Sequence, residues 1–377
     1  MAAAGALAGR AVTIVGAGIG GLTAALALAR RGAAVTVLER AGALREVGAG
    51  IQVSPNAVRV LEALDIGRDF TAVSVPSHGV TLRDAAGARV LHMDFDRWRP
   101  GAAFRTVHRA RLIAVLDDAA RAAGATILLD TPVETLPDAG LLIGADGLHS
   151  RVRVALNGTE TPFFTGQAAW RTLVPLEDAA SFGAQVFMGP GRHMVSYPLA
   201  YGLRNIVAVE ERAAWTAEDW SRPDDPAALR AAFADFGGPV PGWLSQVTDC
   251  AVWGLHRHRV APRWHDDRRA ILGDAAHPTL PFLAQGACMA IEDAWVLAAC
   301  LDADADQPRA LARYQALRRP RCVRIVEAAN ANARNYHLSG PRRRVGHTAL
   351  RLADRLAPRA VFERFAWVYD HDPTAVA

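Results

Sequence analysis

Lysine is absent from this sequence, so all 42 basic side chains are arginine. Against 38 acidic residues they leave a formal net charge of only +4, and they are scattered along the chain. A surface that binds nucleic acid needs a concentrated basic patch. We therefore predict no nucleic-acid partner, although the isoelectric point calculated from the sequence is about 9.1.

Cysteine and long apolar runs are also scarce. The four cysteines form neither a CxxC pair nor a zinc-ligand spacing, so we predict no disulfide framework, no metal site and a reduced, cytoplasmic environment. Glycines interrupt the apolar stretch 11–29, which therefore does not resemble a signal sequence. Elsewhere no uninterrupted apolar segment of about 18 residues occurs, so no membrane span is expected.

Strand and helix patterns alternate at the start of the chain. Apolar, β-branched residues at Ala11–Val15 and Ala34–Leu38 predict two strands, and the alanine- and leucine-rich segment 22–31 between them predicts a helix. Together they make one βαβ unit. Further periodic segments predict a helix opened by Pro55, a helix over 109–123, and strands at 126–129, 141–145 and 269–272.

Two other regions favour antiparallel strands. A hairpin is predicted within 78–93, around the turn 84–87, and several short strands are predicted over 163–209. We therefore predict an α/β (α+β) fold, with a Rossmann-like dinucleotide-binding domain, an inserted antiparallel β-sheet substrate domain and a helical C-terminal region. The predicted ranges are 1–76, 102–160 and 266–340 for the dinucleotide-binding domain, 77–101 and 161–265 for the substrate domain, and 341–377 for the C-terminal segment.

The glycine-rich turn at 16–21, which reads GAGIGG, lies between the first predicted strand and helix. Glycines there allow backbone N–H groups to approach a pyrophosphate at the helix N-terminus. Glu39 ends the next strand, where its carboxylate can accept hydrogen bonds from a ribose. The alternative is simple helix–strand packing, and the turn alone does not distinguish FAD from NAD.

Two further acidic motifs follow predicted strands. GADG at 144–147 contains Asp146, and GDAAHP at 273–278 contains Asp274. Ligands of open α/β sheets bind at the carboxyl ends of the strands, where both motifs are expected. Any one of them alone would be read as an ordinary turn.

Together the three motifs resemble the class A flavin-dependent aromatic hydroxylases, the family typified by para-hydroxybenzoate and salicylate hydroxylases. The resemblance covers nearly the whole chain. It is closest to the branch of salicylate hydroxylase, 3-hydroxybenzoate 6-hydroxylase and 6-hydroxynicotinate 3-monooxygenase. The motifs of that branch are GAGIQ at 48–52, SPNA at 54–57, VHR at 107–109, YPL at 197–199 and the segment 281–293.

This resemblance implies FAD as the cofactor. Glu39 would bind the adenosine ribose, Arg109 the phosphate region, and Asp274 the ribityl chain or pyrophosphate. Asp146 belongs to a motif associated with both FAD and the pyridine nucleotide, and no second glycine fingerprint appears, so NADH or NADPH is expected to dock transiently. The implied cofactor-binding residues are Gly16, Gly18, Gly21, Glu39, Arg40, Arg109, Asp146, Gly273, Asp274, Pro281, Gly286 and Ala287.

The family reaction would be hydroxylation of a small phenolic or hydroxybenzoate-like substrate, in which O2 adds at flavin C4a and the terminal oxygen is transferred. His193 is the first candidate for the base that deprotonates the phenol, and Tyr197, four residues away, would face the same side of a strand. Gln285 could bind the substrate hydroxyl or cap a helix. Arg171, Arg192 and Arg204 are candidate partners of a substrate carboxylate.

Some alternatives stay open. The chain between Thr131 and Leu141 is shorter than the hairpin that relatives carry there, which puts the contacts of that hairpin with the adenosine in doubt. Another FAD oxidoreductase on the same fold, such as an epoxidising monooxygenase or a reductase, uses the same motifs, and a catalytically silent flavin-binding protein is a further possibility. The protein is expected to be a monomer or a homodimer.

Overall fold

The computed structural model describes residues 5–44, 50–176, 183–215 and 222–376. Gly48 and Ala49 of the predicted GAGIQ motif lie outside these ranges. Within them, the strands are β1 (Ala11–Val15), β2 (Ala34–Leu38), β3 (Gly50–Val53), β4 (Ser74–Pro76), β5 (Gly79–Asp84), β6 (Arg89–Asp94), β7 (Arg105–His108), β8 (Thr126–Leu128), β9 (Leu142–Gly144), β10 (Phe163–Pro175), β11 (Ala184–Gly189), β12 (Arg192–Leu199), β13 (Leu203–Glu211), β14 (Arg222–Asp224), β15 (Cys250–Arg257) and β16 (Arg269–Ile271).

The helices of the described residues alternate with these strands in the first half and dominate the last third. They are α1 (Ile19–Ala29), α2 (Pro55–Ala63), α3 (Gly67–Ala72), α4 (Phe95–Trp98), α5 (Arg109–Ala122), α6 (Arg151–Asn157), α7 (Pro226–Ala232), α8 (Val240–Ser245), α9 (Gly286–Ala303), α10 (Gln307–Tyr336), α11 (Gly340–Leu356), α12 (Pro358–Glu363) and α13 (Ala366–Tyr369).

A parallel sheet of five strands carries the first motif. Its strand order is β16-β9-β1-β2-β8, and every neighbouring pair is parallel. Parallel neighbours need a crossover connection, which α1 provides between β1 and β2. The carboxyl ends of β1, β9 and β16 therefore lie side by side, and each is followed by one of the three motifs.

Helix α1 is buried almost all round, in agreement with its apolar composition. It packs against α5 and α9, and small residues such as Ala24 and Ala25, both fully buried, allow close approach of these helices. This packing fixes the start of α1 relative to the parallel sheet.

The second sheet has eight strands in the order β14-β15-β10-β13-β12-β11-β5-β6. All its neighbouring pairs are antiparallel except β5 and β11. Trp170, Phe187 and Phe233 belong to a separate buried cluster on this sheet. The predicted antiparallel β-sheet is thus confirmed, while the predicted domain boundaries stay a prediction.

Most predicted elements are present within one to three residues of the expected ends. One expectation needs correction. The helix predicted at 22–31 begins at Ile19, because the turn glycines continue into its first turn. Between β8 and β9 the described residues contain no strand, in agreement with the short segment noted in the sequence. No helix of the described residues is long and apolar enough to cross a membrane.

Candidate active site

A long groove runs between the carboxyl edge of the parallel sheet and one face of the eight-stranded sheet. It begins at the turn that precedes α1 and ends beside β12 and the start of α9. Its lining residues include Gly18, Gly50, Gln52, Arg109, Gly147, Arg171, His193, Val195, Tyr197, Gly273, Asp274, Pro281, Phe282, Gly286 and Ala287. The groove thus joins residues of the glycine-rich turn, of both acidic motifs and of most of the other motifs found in the sequence.

The three turn glycines have different roles in the geometry. Gly16 has a φ of +100°, and a Cβ on it would lie 2.5 Å from the carbonyl oxygen of Ala145. A Cβ on Gly21 would lie 1.9 Å from the carbonyl oxygen of Gly16. Around Gly18 no atom lies within 4 Å of the Cβ position, and this residue lines the groove. Gly16 and Gly21 therefore allow the turn to close, and Gly18 keeps the groove open.

Glu39 lies directly beside this turn. Its carboxylate accepts hydrogen bonds from the backbone N–H groups of Ala17, at 2.7 Å, and Ala41, at 2.9 Å. The acid is therefore held at the end of β2, next to the glycines. Arg40, which was predicted to bind the cofactor, is exposed and does not line the groove.

The amino end of α1 suits a bound pyrophosphate. No side chain caps this helix, and its first turn contains no acidic residue. Helix N-termini carry unsatisfied N–H donors and a partial positive charge. Arg109, at the start of α5, also lines the groove. The open space at Gly18, the uncapped helix and the arginine together fit the diphosphate of FAD.

Asp274 follows β16 and faces the groove. Gly273, which precedes it, has a φ of +58°, a left-handed conformation that favours glycine. The carboxyl group of Asp274 is exposed to the groove, but the surrounding protein limits its hydration. This desolvation raises the pKa of Asp274, and the positive charges of His277 and Arg109 only partly oppose the shift.

A buried ion-pair network lies behind Asp274. His277 Nε2 bonds to Asp293 Oδ2, while Arg318 Nε donates to Asp293 Oδ1 at 2.8 Å and Arg318 Nη2 lies 2.6 Å from Glu292. Burial favours the neutral form of Asp293, but His277 and Arg318 lower its pKa to about 2. Burial also favours the neutral form of His277, which by itself would lower its pKa. Cys322 and Asp293 outweigh this effect and raise the pKa of His277 well above its ordinary value.

This network supports the turn that carries Asp274. Asp293 Oδ2 also accepts a hydrogen bond from the backbone N–H of Gly273 at 3.1 Å. His277, Asp293 and Cys322 have ligand atoms close enough together for a metal ion. The guanidinium of Arg318 already neutralises Asp293, so the geometry is that of an ion pair.

The segment after Asp274 forms the opposite end of the groove. Pro281, Gly286 and Ala287 line it, and α9 begins at Gly286 without a side-chain cap. Ala284, just before this helix, has a φ of +52°. A helix N-terminus stabilises negative charge, which a flavin ring acquires at N1 and the C2 carbonyl on reduction.

Gln285 belongs to an adjoining cavity that shares Gln52, Val195 and Phe282 with the groove. Its amide nitrogen donates to Ser54 Oγ at 2.9 Å, and its amide oxygen accepts from Asn56 at 3.1 Å. The side chain does not cap α9. Each amide atom keeps a second hydrogen-bonding position, so these two bonds orient the side chain without excluding a bond to a substrate hydroxyl.

One face of β12 closes the groove. His193, Val195 and Tyr197 all line it, as the alternation of side chains along a strand requires. His193 has no exposed surface, because Phe282 and Tyr336 pack on its ring at centroid distances of 4.8 and 5.2 Å. A substrate therefore reaches His193 only when one of these side chains moves.

The environment of Tyr197 keeps its hydroxyl protonated. Burial raises the pKa of Tyr197, and the positive charge of Arg171 opposes this shift only in part. Arg171 itself lines the groove, with its guanidinium 4.1 Å from the ring of Trp253. A hydrogen-bond donor and a cation thus lie at the same end of the groove.

The other two candidate arginines point elsewhere. Arg192 donates to the Ala232 carbonyl oxygen and pairs with Asp235, and Arg204 donates to Ser196 Oγ. Neither lines the groove. Only Arg171 of the three candidates is placed to meet a ligand there.

Asp146 lies behind the groove wall. Its Oδ2 accepts a hydrogen bond from the backbone N–H of Arg151 at 2.8 Å, and its Oδ1 is buried with no partner among the described residues. Burial is the main cause of its raised pKa. Gly147, the next residue, lines the groove itself.

Two residues near His193 were not identified from the sequence. His337 Nε2 lies 2.7 Å from His193 Nδ1, and Glu211 Oε1 lies 2.9 Å from His337 Nδ1. Neither belongs to a motif, and 126 residues separate them in the chain. No pattern in the sequence indicates that they meet.

Comparison with known proteins identifies the family of this chain. The FAD binding domain family matches residues 10–140 and 137–329. A 3-amino-4-hydroxybenzoate 2-monooxygenase of Streptomyces platensis is 33% identical over 390 residues, covering 97% of this chain and 97% of that protein. A 3-hydroxybenzoate 6-hydroxylase of Klebsiella oxytoca is 34% identical over 362 residues, covering 88% and 90%.

A solved structure supports the same assignment. HpxO of Klebsiella pneumoniae, complexed with FAD and uric acid, has a TM-score of 0.79 and 27% identity, and the match covers 92% of this chain and 94% of that one. The fold and the FAD cofactor expected from the sequence motifs are thereby confirmed. The chain belongs to the FAD binding domain family, within the flavin-dependent aromatic monooxygenases.

Proposed function

We propose that this enzyme hydroxylates a small aromatic carboxylic acid that carries a phenolic hydroxyl, of the hydroxybenzoate class, with NADH or NADPH and O2 as co-substrates. The observation that carries this proposal is the wall of the groove, which a buried histidine, a protonated tyrosine and an arginine line together. Both curated relatives described above are named for hydroxybenzoate substrates.

Each of the three side chains suits one part of such a substrate. The guanidinium of Arg171 matches a carboxylate, and Tyr197 can donate a hydrogen bond. His193 is the candidate base for the phenol, because removing the phenolic proton increases the electron density of the ring. The apolar side chains of Phe282 and Val195 exclude water around the ring.

The opposite end of the groove suits the cofactor. Glu39 is proposed to hold the adenosine ribose, and Gly16, Gly18 and Gly21 to admit the pyrophosphate. Arg109, Asp274 and Gly273 would contact the middle of FAD, and Pro281, Gly286 and Ala287 its ring system. Asp146 does not line the groove and would act from behind its wall, and the exposed Arg40 would act from outside it. When bound, FAD supplies the redox chemistry, taking electrons from the pyridine nucleotide and activating O2.

Purified protein tests the proposal directly. We expect a bound-flavin absorption spectrum and an oxidation of NADH or NADPH that is stimulated by salicylate, 3-hydroxybenzoate or 3-amino-4-hydroxybenzoate, with a hydroxylated product. Benzoate, which lacks the hydroxyl, is the matched control and should not yield product. Reduction of the flavin without hydroxylation of any phenolic acid would favour a reductase instead.

A further inference from the structure

Two histidines and a glutamate form a continuous line of hydrogen bonds along one face of the eight-stranded sheet, where His193 pairs with Val209, two residues before Glu211. His193 Nδ1 lies 2.7 Å from His337 Nε2, and His337 Nδ1 lies 2.9 Å from Glu211 Oε1. Both distances are those of ordinary hydrogen bonds. His193 is on β12, Glu211 ends β13 and His337 directly follows α10, so three separate elements supply the line.

The two ends of this line lie in different environments. His193 lines the groove, and its Nε2 atom is buried with no hydrogen-bond partner among the described residues. The side chain of Glu211 is 57% exposed and borders a surface depression beside α10. The line thus connects the buried end of the groove to solvent.

The carboxylate determines which nitrogen atoms carry protons. An ionised carboxylate only accepts hydrogen bonds, so His337 Nδ1 must donate to Glu211. In neutral His337 the Nε2 atom is then an acceptor, which requires His193 to donate from Nδ1. His193 Nε2 is therefore left with a lone pair, as a base requires. The amide of Gln167 also contacts His337 Nδ1, but at 3.4 Å it competes poorly with the carboxylate.

We propose that His193, His337 and Glu211 form a proton relay that carries the phenolic proton of the substrate from the groove to solvent. The relay rests on the proposed function, because it needs a substrate that loses a proton at His193. His193 is the candidate catalytic residue, and His337 and Glu211 are positioning residues that act through it.

Each step exchanges one bond to hydrogen for another. The substrate O–H bond breaks as the His193 Nε2–H bond forms, and the proton on His193 Nδ1 passes to His337 Nε2. The proton on His337 Nδ1 then passes to the Glu211 carboxylate, which releases it to water. No electrons are gained or lost, so the relay needs no oxidant or reductant.

The surroundings hold both histidines in the neutral form that the relay uses. Burial lowers the pKa of His193, and its neighbour His337 lowers it further. Burial also lowers the pKa of His337, although Glu211 opposes this shift. Tyr336 also packs on His193, and burial raises its pKa to about 12, so it does not compete for the proton.

The test uses the full-length, FAD-loaded, oxidised enzyme and the probe 3-hydroxy-4-nitrobenzoate, whose phenolate absorbs visible light. Stopped-flow mixing in weak buffer with a pH indicator measures both ionisation of the bound probe and release of its proton. Glu211→Gln keeps an oxygen that accepts from His337 but removes the proton acceptor. We expect it to slow proton release at least about tenfold and to shift ionisation of the bound probe to higher pH.

His337→Gln, which interrupts the relay at its middle residue, should slow proton release to a similar extent. The matched control is Glu210→Gln, at the neighbouring position on β13, where the carboxylate pairs with Arg212 instead. It should release protons as the wild type does. Because Glu211 is mostly exposed, its variant is expected to fold, and unchanged FAD content verifies this.

The outcomes separate the relay from the proposed function. Proton release that is as fast in Glu211→Gln as in the wild type, with the probe bound and ionised in both, would overturn the relay alone. Failure of the wild-type enzyme to bind the probe, or to ionise it, would overturn the proposed function and the relay with it.

Discussion

Gly18 differs from the other turn glycines because the space at its Cβ position is open groove. Its φ of −74° is one that any residue adopts. We therefore predict that Gly18→Val leaves the stability of the FAD-free protein unchanged but weakens FAD binding at least tenfold, roughly 1.4 kcal/mol or more. Flavin fluorescence titration and urea unfolding of the FAD-free protein measure the two effects.

Gly21→Ala is the comparison variant for this prediction. Its Cβ would lie 1.9 Å from the carbonyl oxygen of Gly16, so the backbone must shift and the protein should unfold at lower urea concentration. Equal destabilisation by both variants would show that Gly18 has a packing role. It would contradict the prediction that Gly18 borders open space for FAD.

Arg171 is the cation best placed to select the substrate. We predict that Arg171→Met raises KM for 3-hydroxybenzoate at least tenfold, because a charge-assisted hydrogen bond contributes about 1.5–3 kcal/mol. The KM for a phenol without a carboxylate should change much less. Arg192→Met is the control, since Arg192 pairs with Asp235 outside the groove. Equal losses on both substrates would argue against a carboxylate partner for Arg171.

At the scale of elements, helix α9 is anchored to α10 by the buried carboxylates of Glu292 and Asp293. Burial opposes their ionisation, but Arg318 and Arg321 act on Glu292, and His277 and Arg318 on Asp293, to lower each pKa to about 2. A carboxylate whose pKa is depressed on folding stabilises the protein above its unfolded pKa, and this contribution is lost on acidification. Each such group contributes on the order of 2–3 kcal/mol.

The free energy of unfolding should therefore fall steeply as the pH drops from about 4.5 toward 2. Urea unfolding at a series of pH values measures this slope. Asp293→Asn should cost about 3–5 kcal/mol at neutral pH, because it removes the carboxylate of His277 and one of the two carboxylates of Arg318, and should flatten the acid slope. An unchanged slope in this variant would show that other carboxylates control acid unfolding.

At the scale of the whole molecule, helix α11 of the C-terminal region is bonded to the β5–β6 hairpin. Asp354 accepts hydrogen bonds from the guanidinium of Arg89, at 2.7 Å, and from the backbone N–H of His92, at 2.9 Å. Its side chain is only 10% exposed. The hairpin forms one edge of the sheet that borders the groove, so this contact attaches α11 to that sheet.

We predict that Asp354→Ala lowers the free energy of unfolding by about 1–3 kcal/mol, because it leaves two donors unsatisfied. Chemical denaturation followed by circular dichroism measures the change. Asp138→Ala removes an exposed partner of Arg268 and should have no measurable effect. A similar decrease in the free energy of unfolding in both variants would mean that the contact of α11 with the hairpin stabilises the protein no more than an exposed ion pair does.

The dinucleotide-binding end of the site could be predicted from the sequence by itself. The glycines at 16–21, Glu39 and Asp274 follow strands with a clear apolar pattern, and the carboxyl ends of parallel strands meet at one edge. Local periodicity therefore determined the βαβ unit, and the family resemblance that the motifs carry implied FAD. The face shared by His193 and Tyr197 also followed from the two-residue period of a strand.

The substrate end was decided by tertiary structure. Sequence patterns treated Arg171, Arg192 and Arg204 as equivalent, and only the sheet geometry directs Arg171 into the groove. His337 and Glu211 meet because the residue after α10 packs against the end of β13. Contacts between segments 126 residues apart leave no local pattern, since they depend on strand register and helix packing, whereas a glycine turn or an apolar strand is read from neighbouring residues.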